Sequence, residues 1–287
     1  MKELSRAQEI DRSIIREFRV SIWNAFTKAV KTYELIQPGD RIAVCVSGGK
    51  DSMLMAKCMQ HFQKYGNIPF KLEFLCMNPG YAEENWNQIQ KNAERFYQLP
   101  LRTFQTRIFE VVNKQERHPC YLCARMRRGH LYEAAKNLGC NKIALGHHFD
   151  DVIETILMGM LYGSQTQTMM PKLHSANFSG MELIRPLYFM READVIQWAE
   201  FHHLKFIQCA CRMTQEHPEQ ETASKRKETK ALIAQLKKTN PDVEKNIFNS
   251  VCNVNLRTII SYHDGDEYHH FLDHYADGLP LTGGSKA

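Results

Sequence analysis

Arg41-Ile-Ala-Val-Cys-Val-Ser-Gly-Gly-Lys-Asp-Ser52 decides the fold of this chain. The apolar run Arg41–Val46 reads as a buried strand, the stretch from Ser52 to Gln63 as a helix, and Ser47-Gly-Gly-Lys-Asp-Ser52 between them as a phosphate-binding turn. Two adjacent glycines let the backbone turn sharply. Ser47, Lys50 and Ser52 surround an anion with hydroxyls, backbone N–H groups and one positive charge at a helix N-terminus. A Walker A loop needs four residues between its glycines before the lysine. Here Gly48 and Gly49 are contiguous, Lys50 follows at once, and Asp51 falls where a carboxylate can hold magnesium. The bland alternative is an ordinary Gly-Gly turn, and the strand before and the helix after favour the phosphate loop over it.

Outward from the loop, strand-like runs at Arg41–Val46, Phe70–Met77, Leu101–Thr106 and Lys142–Leu145 alternate with helical segments near 52–63, 84–98 and 124–138. That alternation predicts a parallel sheet sandwiched by helices, with ligands at the carboxyl ends of the strands. Leu183–Leu187 and a helix near 191–203 extend the pattern, and Lys205–Gln208 is a candidate short strand. Upstream, Ile14, Phe18, Ile22, Phe26 and Val30 recur every four residues, the mark of an amphipathic helix ended by Pro38-Gly39. From Thr222 onward helices are expected to dominate. The expected division is an N-terminal helical extension over 1–38, the main α/β domain over 39–215, and a C-terminal helical region and tail over 216–287.

Two further sites carry chemistry. Cys120-Tyr-Leu-Cys123 opens a helix after His118-Pro119, where the helix N-terminus favours thiolates. A lone pair at this spacing fits zinc, redox chemistry or burial about equally. Cys209-Ala-Cys211 adds at least one more thiolate, and three thiolates with one open position suit an iron–sulfur cluster better than zinc, which prefers four protein ligands. Cys45, Cys58, Cys76, Cys140 and Cys252 sit among apolar neighbours and are expected in the core. Gly146-His-His-Phe-Asp-Asp151 follows the strand Ile143–Leu145, so Asp150 and Asp151 fall at a ligand-binding strand end, where they can hold magnesium or handle a proton. The plain reading of either is an N-cap for the next helix. His147 is placed to contact phosphate or ribose.

Composition bounds the reading. The chain has 287 residues, 43% hydrophobic and 24% charged, enough for one main domain with appendages and a sizeable core. The net charge of +5 permits a polyanionic partner without demanding one. Arg125, Arg127 and Arg128 cluster beside the cysteines, and Lys225, Arg226, Lys227, Lys230, Lys237 and Lys238 stud one late helix. Glu219, Glu221 and Glu228 are interspersed there, so a solvated face explains that run about as well as RNA does. No stretch is apolar enough to span a bilayer, and Met1-Lys-Glu-Leu-Ser-Arg6 is no signal peptide, so a cytoplasmic protein without membrane contact is expected. Nine cysteines in such a compartment argue for metal, redox or catalytic use of some of them.

The loop hexapeptide resembles that of the PP-loop, or N-type, ATP pyrophosphatases, a HUP-like fold of the adenine nucleotide α-hydrolase type, which implies cleavage of ATP between the α and β phosphates. The resemblance narrows with His118-Pro-Cys-Tyr-Leu-Cys-Ala-Arg-Met-Arg-Arg-Gly129, Lys142-Ile-Ala-Leu-Gly-His-His-Phe-Asp-Asp151, Met170-Pro-Lys-Leu173, Ile184-Arg-Pro-Leu187 and Phe206-Ile-Gln-Cys209. In order and spacing these are similar to the tRNA 2-thiocytidine synthetases, from about residue 15 to 260. The likeness implies ATP, Mg²⁺ and a 4Fe-4S cluster as cofactors. It implies adenylation of the 2-oxo group of a tRNA pyrimidine, cytidine 32 in the best-known members, and replacement of that oxygen by sulfur.

By position, Cys120, Cys123 and Cys209 match the cluster ligands, and Ser47, Gly48, Gly49, Lys50, Asp51 and Ser52 match the pyrophosphate loop. Met77, Gly146 and His147 are further expected nucleotide contacts. Lys50, Asp51, Asp150, Asp151 and Arg128 are the expected catalytic set, with Arg128 steadying phosphate or RNA. The family often has Pro-Cys-x-x-Cys at the last site, whereas this chain has Gln208-Cys-Ala-Cys211, which leaves Cys211 as a rival for Cys209. The expected partners are tRNA, a sulfur donor (a cysteine desulfurase or sulfide) and a second copy of the chain in a homodimer. A persulfide route would need the same residues. Two other functions compete: an adenylating enzyme of the same fold acting on another tRNA base or a small molecule, and a non-enzymatic iron–sulfur sensor with ATP as a structural ligand.

Overall fold

The structure, a computed structural model, describes residues 4–112, 119–207 and 221–277. Strands β1 (Arg41–Cys45), β2 (Lys71–Asn78), β3 (Leu101–Gln105), β4 (Lys142–Ala144), β5 (Lys172–His174) and β6 (Glu182–Ile184) form a six-stranded sheet in the order β3-β2-β1-β4-β6-β5. All neighbours are parallel except β5, which closes the edge antiparallel to β6. The chain runs outward from β1 through β2 to β3, then returns to place β4 on the other side of β1. This reversal opens a crevice between the carboxyl ends of β1 and β4, the place where open α/β sheets bind ligands.

Alternation along β1 explains the layering. Ile42, Val44 and Val46 point into the larger core beneath the N-terminal helices, α3 (Lys50–Tyr65) and α8 (Glu192–Phe201). Ala43 and Cys45 face the opposite layer, where Tyr132 and Ala135 of α6 (Pro119–Asn137) pack on Leu75, Ile143 and Leu183. Cys45, Cys58, Cys76 and Cys140 are buried as expected. Cys252 is not: it lies exposed on the turn that follows Ser250, where Val251 packs against the core and the residues after it turn to solvent.

The N-terminal segment departs from the single helix expected. It forms α1 (Arg6–Ile15), a π-helical turn over Arg19–Asn24, and α2 (Ala25–Thr32). The reason lies in the spacing. At about 100° per residue, a four-residue step overshoots a straight α-helix by roughly 40° each time, so the five apolar positions would spiral off the core. Wider i→i+5 turns absorb the excess, with Phe18 N–H donating to Ser13 O at 2.9 Å and Trp23 N–H to Phe18 O at 3.3 Å. All five residues are consequently buried in one core with the sheet.

Beyond β3, α4 (Glu83–Lys91) having preceded it, lie the short α5 (Ile108–Val112) and α6; α7 (Phe149–Gly163) follows β4. The segment 204–207 is not a strand, and Gln208 lies outside the described residues. Helices α9 (Glu221–Lys237) and α10 (Val243–Ser250) give way to a hairpin, β7 (Ser261–Asp264) and β8 (Glu267–His270), where helix was expected. Gly265, at φ +61, starts its two-residue turn, a conformation open to glycine. No helix among the described residues is long and apolar enough to cross a membrane.

Candidate functional site

The phosphate loop leaves β1 at Val46 and enters α3 at Lys50. Gly49 is the N-cap and offers no side chain to the first-turn N–H groups, which stay open to an anion. Ser52 holds the turn closed: its hydroxyl donates to Gly49 O at 3.0 Å and accepts from Ser47 N–H at 3.1 Å, with Ser47 Oγ 3.0 Å away. Gly48 sits at φ +85, and a Cβ there would lie 2.4 Å from Ile89 Cγ1. A Cβ on Gly146 would stand 3.1 Å from Ser52 N, so the end of β4 and the loop meet backbone to backbone.

Between these strand ends lies a cavity of about 230 Å³ lined by Ser47, Asp51, Ser52, Met77, Gly146 and His147, together with Cys45, Tyr81 and Arg127. Lys50 reaches Asp51 Oδ2 at 3.2 Å and Glu192 Oε1 at 3.4 Å. Asp51 Oδ1 is buried without a hydrogen-bond partner among the described residues. An orphaned carboxylate oxygen beside a phosphate turn fits a Mg²⁺ ligand, since that ion takes oxygen donors.

His147 is a neutral donor. Burial, then the Arg185 charge, push it down to about 4. Arg185 Nε donates to His147 Nδ1 at 3.3 Å, and a guanidinium can only donate, so the ring proton sits on Nε2. Arg185, itself buried and lowered to about 10 by that burial, was legible only as part of the Ile184-Arg-Pro-Leu187 stretch.

The acidic pair divides its work. The N-cap of α7 is His148, not an aspartate; Asp151 closes its capping box by accepting from His148 N–H at 3.0 Å. Asp150 reaches across to α8, accepting from Arg191 Nη2 at 3.0 Å and Glu192 N–H at 2.7 Å. Asp151 also accepts from Arg226 Nη1 at 2.9 Å. The late basic run is therefore partly turned inward: Arg226 also pairs with Glu154 at 2.8 Å, Lys230 with Glu192, and Lys237 with Glu244 at 2.7 Å.

Of the arginine cluster, Arg127 lines the cavity, whereas Arg125 and Arg128 are exposed on α6. The Arg127 guanidinium lies 5.3 Å from the Phe109 ring centroid and 5.8 Å from that of Tyr81. Burial alone would lower it, but Tyr81 and Cys123 outweigh that and raise it, so it remains a fixed cation. Arg127 thus links the cavity to Cys123, which is half-buried and packs near Met77. A fixed cation in contact favours the thiolate form, the form that binds metal. Cys120 starts the same helix, though its side chain, Cys209 and Cys211 lie outside the described residues.

The PP-loop domain family matches residues 20–216. The tRNA-cytidine(32) 2-sulfurtransferase of Syntrophotalea carbinolica is 34% identical over 237 residues, covering 81% of this chain and 88% of that protein. Its counterpart in Geobacter sulfurreducens is 33% identical over 245 residues, covering 83% and 91%. Among solved structures, the U34-tRNA thiolase NcsA from Methanococcus maripaludis, determined with its 4Fe-4S cluster, superposes with a TM-score of 0.63 at 24% identity over 80% of this chain and 76% of its own. That likeness establishes a shared fold. Residues 20–216 and the full-length relatives together place this chain in the PP-loop family and, within it, among the tRNA-cytidine(32) 2-sulfurtransferases.

Proposed function

We propose that this chain thiolates a tRNA pyrimidine, cytidine 32, in two stages: ATP adenylates the 2-oxo group, and sulfur then displaces AMP at C2. The observation that carries this reading is the single cavity bounded by the Ser47–Ser52 loop on one side and Arg127, in contact with Cys123, on the other. A pyrimidine carbonyl is a poor electrophile and its oxygen a poor leaving group, so the substrate needs activation before sulfur arrives. The open N–H groups of α3 and Lys50 take up the charge that develops on departing pyrophosphate. Asp51, with its orphaned oxygen, would hold Mg²⁺, and Asp151, which lines a cavity together with it, would be a second oxygen ligand. His147 donates from Nε2 to a phosphate or ribose oxygen, and Gly146 lets the end of β4 pack against the backbone of the phosphate loop, so that both reach the nucleotide. Arg127, on the wall of the cavity, offsets charge on the α-phosphate, and exposed Arg128 meets the RNA backbone.

Cys120, Cys123 and Cys209 would hold a 4Fe-4S cluster, which would supply the sulfide for the second stage. Sulfur comes from a cysteine desulfurase or from free sulfide, and the enzyme works in the cytoplasm as a homodimer. In this reading residues 39–215 carry the chemistry, α1 and α2 buttress the sheet, and α9 closes the phosphate side. The test is product identity in vitro. Anaerobically reconstituted protein, given ATP, sulfide and unmodified tRNA, should release AMP and pyrophosphate only when tRNA is present. Release of ADP and phosphate instead, or AMP formation indifferent to tRNA, would replace this reading with a small-molecule adenylating enzyme.

A further inference from the structure

Arg185 is a cation buried beside the nucleotide cavity with no counter-charge among the described residues. It follows β6, and alternation along that strand sets its direction: Leu183 packs with Tyr132 of α6, so Arg185, two residues on, faces the same layer. It is only 8% exposed. Its Nε donates to His147 Nδ1 and its Nη1 to Met170 O, which leaves Nη2 with no acceptor among the described residues. The acids at this end of the sheet are held by other arginines, Asp150 by Arg191 and both Asp151 and Glu154 by Arg226. Exposed Arg128, one helical turn before Tyr132, stands on the same face of α6, and its charge opposes that of Arg185. The plain reading is a buried tie between two acceptors. A neutral donor would make both bonds without the cost of burying a charge, so the charge itself needs a partner.

We propose that Arg185 and Arg128 clamp one phosphodiester of the RNA strand, that of the nucleotide being thiolated; this rests on the tRNA substrate proposed above. The position fits the task. β6 lies next to β4, one strand spacing of about 4.8 Å away, and the end of β4 carries His147 on the cavity wall. A base that enters the cavity leaves its own phosphate just outside, where a buried arginine and an exposed one meet it from two sides. The phosphate supplies the charge that Arg185 lacks and relieves the repulsion between the two guanidinium groups. Because Arg185 also holds His147, seating of the RNA strand is tied to the side chain that faces the nucleotide. Arg185 is thus a substrate-positioning residue, one strand removed from the reacting atoms.

A double-mutant cycle between protein and RNA tests this. Wild type and Arg185→Gln are titrated, with fluorescence anisotropy as the readout, against anticodon stem-loops that contain the target cytidine. One stem-loop is unmodified, one has a neutral methylphosphonate linkage beside that cytidine, and one has it several nucleotides away. Wild type should bind the adjacent neutral linkage about tenfold more weakly, the loss of one charge-assisted contact, and the distant one much as it binds unmodified RNA. Arg185→Gln should bind unmodified RNA about tenfold more weakly and no longer distinguish it from the adjacent neutral form. A purely structural role for Arg185 would lower every affinity alike and keep the linkage effect, and such additive losses overturn the proposal, as does a wild type indifferent to the adjacent linkage. Arg128→Gln, an exposed change, runs the same cycle should Arg185→Gln fold poorly. Wild type that does not bind the unmodified stem-loop would sink the tRNA reading, whereas additive losses on a stem-loop that does bind sink the clamp alone.

Discussion

Lys50 and Asp51 are adjacent in sequence and form an ion pair, and in the proposed mechanism they serve different partners, Lys50 the phosphates and Asp51 the metal. Lys50→Ala and Asp51→Ala should each lower AMP and pyrophosphate formation by at least about a hundredfold while the visible absorption of the anaerobic protein persists, since the thiolates sit on other elements. Cys123→Ala should do the reverse and bleach that absorption. Gly48 tests the turn's shape. Alanine there adds left-handed strain of about 1–2 kcal/mol to a collision with Ile89, so urea unfolding should show destabilisation along with weakened ATP binding.

Histidine gives the residue scale its pH dependence. His147 and His202 are both pushed from 6.5 to about 4, chiefly by burial. Between those values the unfolded chain binds more protons than the folded one, so stability rises with pH across the window and is lost as pH falls through it. Melting temperature should climb from pH 4.5 to 7. His202→Asn, which can keep the contact with Ser13 Oγ now made at 2.6 Å, should flatten the climb. An unchanged slope would show that His202 titrates normally.

At the scale of elements, the sequence made the parallel strands legible because each is a short apolar run at the start of a crossover, and the loop because its residues are contiguous. What it hid depends on long-range partners. β5, Lys-Leu-His, has neither length nor alternation, and it exists as a strand only because β6 lies beside it. The hairpin did leave a signal, Gly265-Asp266 between short Tyr/His-bearing runs, overshadowed by the helices before it. Arg127 was visible as one of three arginines, but helix phase alone decides that it, and not Arg128, faces the cavity. Arg226 and Lys230 read as a solvated or RNA-facing run until the fold set them opposite Asp151 and Glu192. The π turn is testable. Inserting one alanine beside exposed Val20 should turn Ile22, Phe26 and Val30 by about 100° off the core, lowering stability by more than about 3 kcal/mol. A variant as stable as wild type in denaturant would show that the wide turn carries no packing role.

For the whole molecule, the question is which polyanion meets a surface of net charge +5. With Arg226, Lys230 and Lys237 paired to acids, exposed Arg125 and Arg128 beside the cysteine helix are the better candidates for RNA contacts. tRNA affinity should fall steeply with salt, with a log–log slope of about −0.7 for each phosphate contact on single-stranded regions. Arg125→Glu with Arg128→Glu should reduce that slope, and an affinity indifferent to salt would point to a substrate other than tRNA. The most direct test of the account is mass spectrometry of tRNA nucleosides from cells with and without this protein, rescued by wild type or by Lys50→Ala. The account predicts 2-thiocytidine in the wild type and the wild-type rescue and its loss from the deletion and the Lys50→Ala rescue. Unchanged 2-thiocytidine in the deletion, with a thiolated uridine or no tRNA nucleoside altered instead, would contradict it.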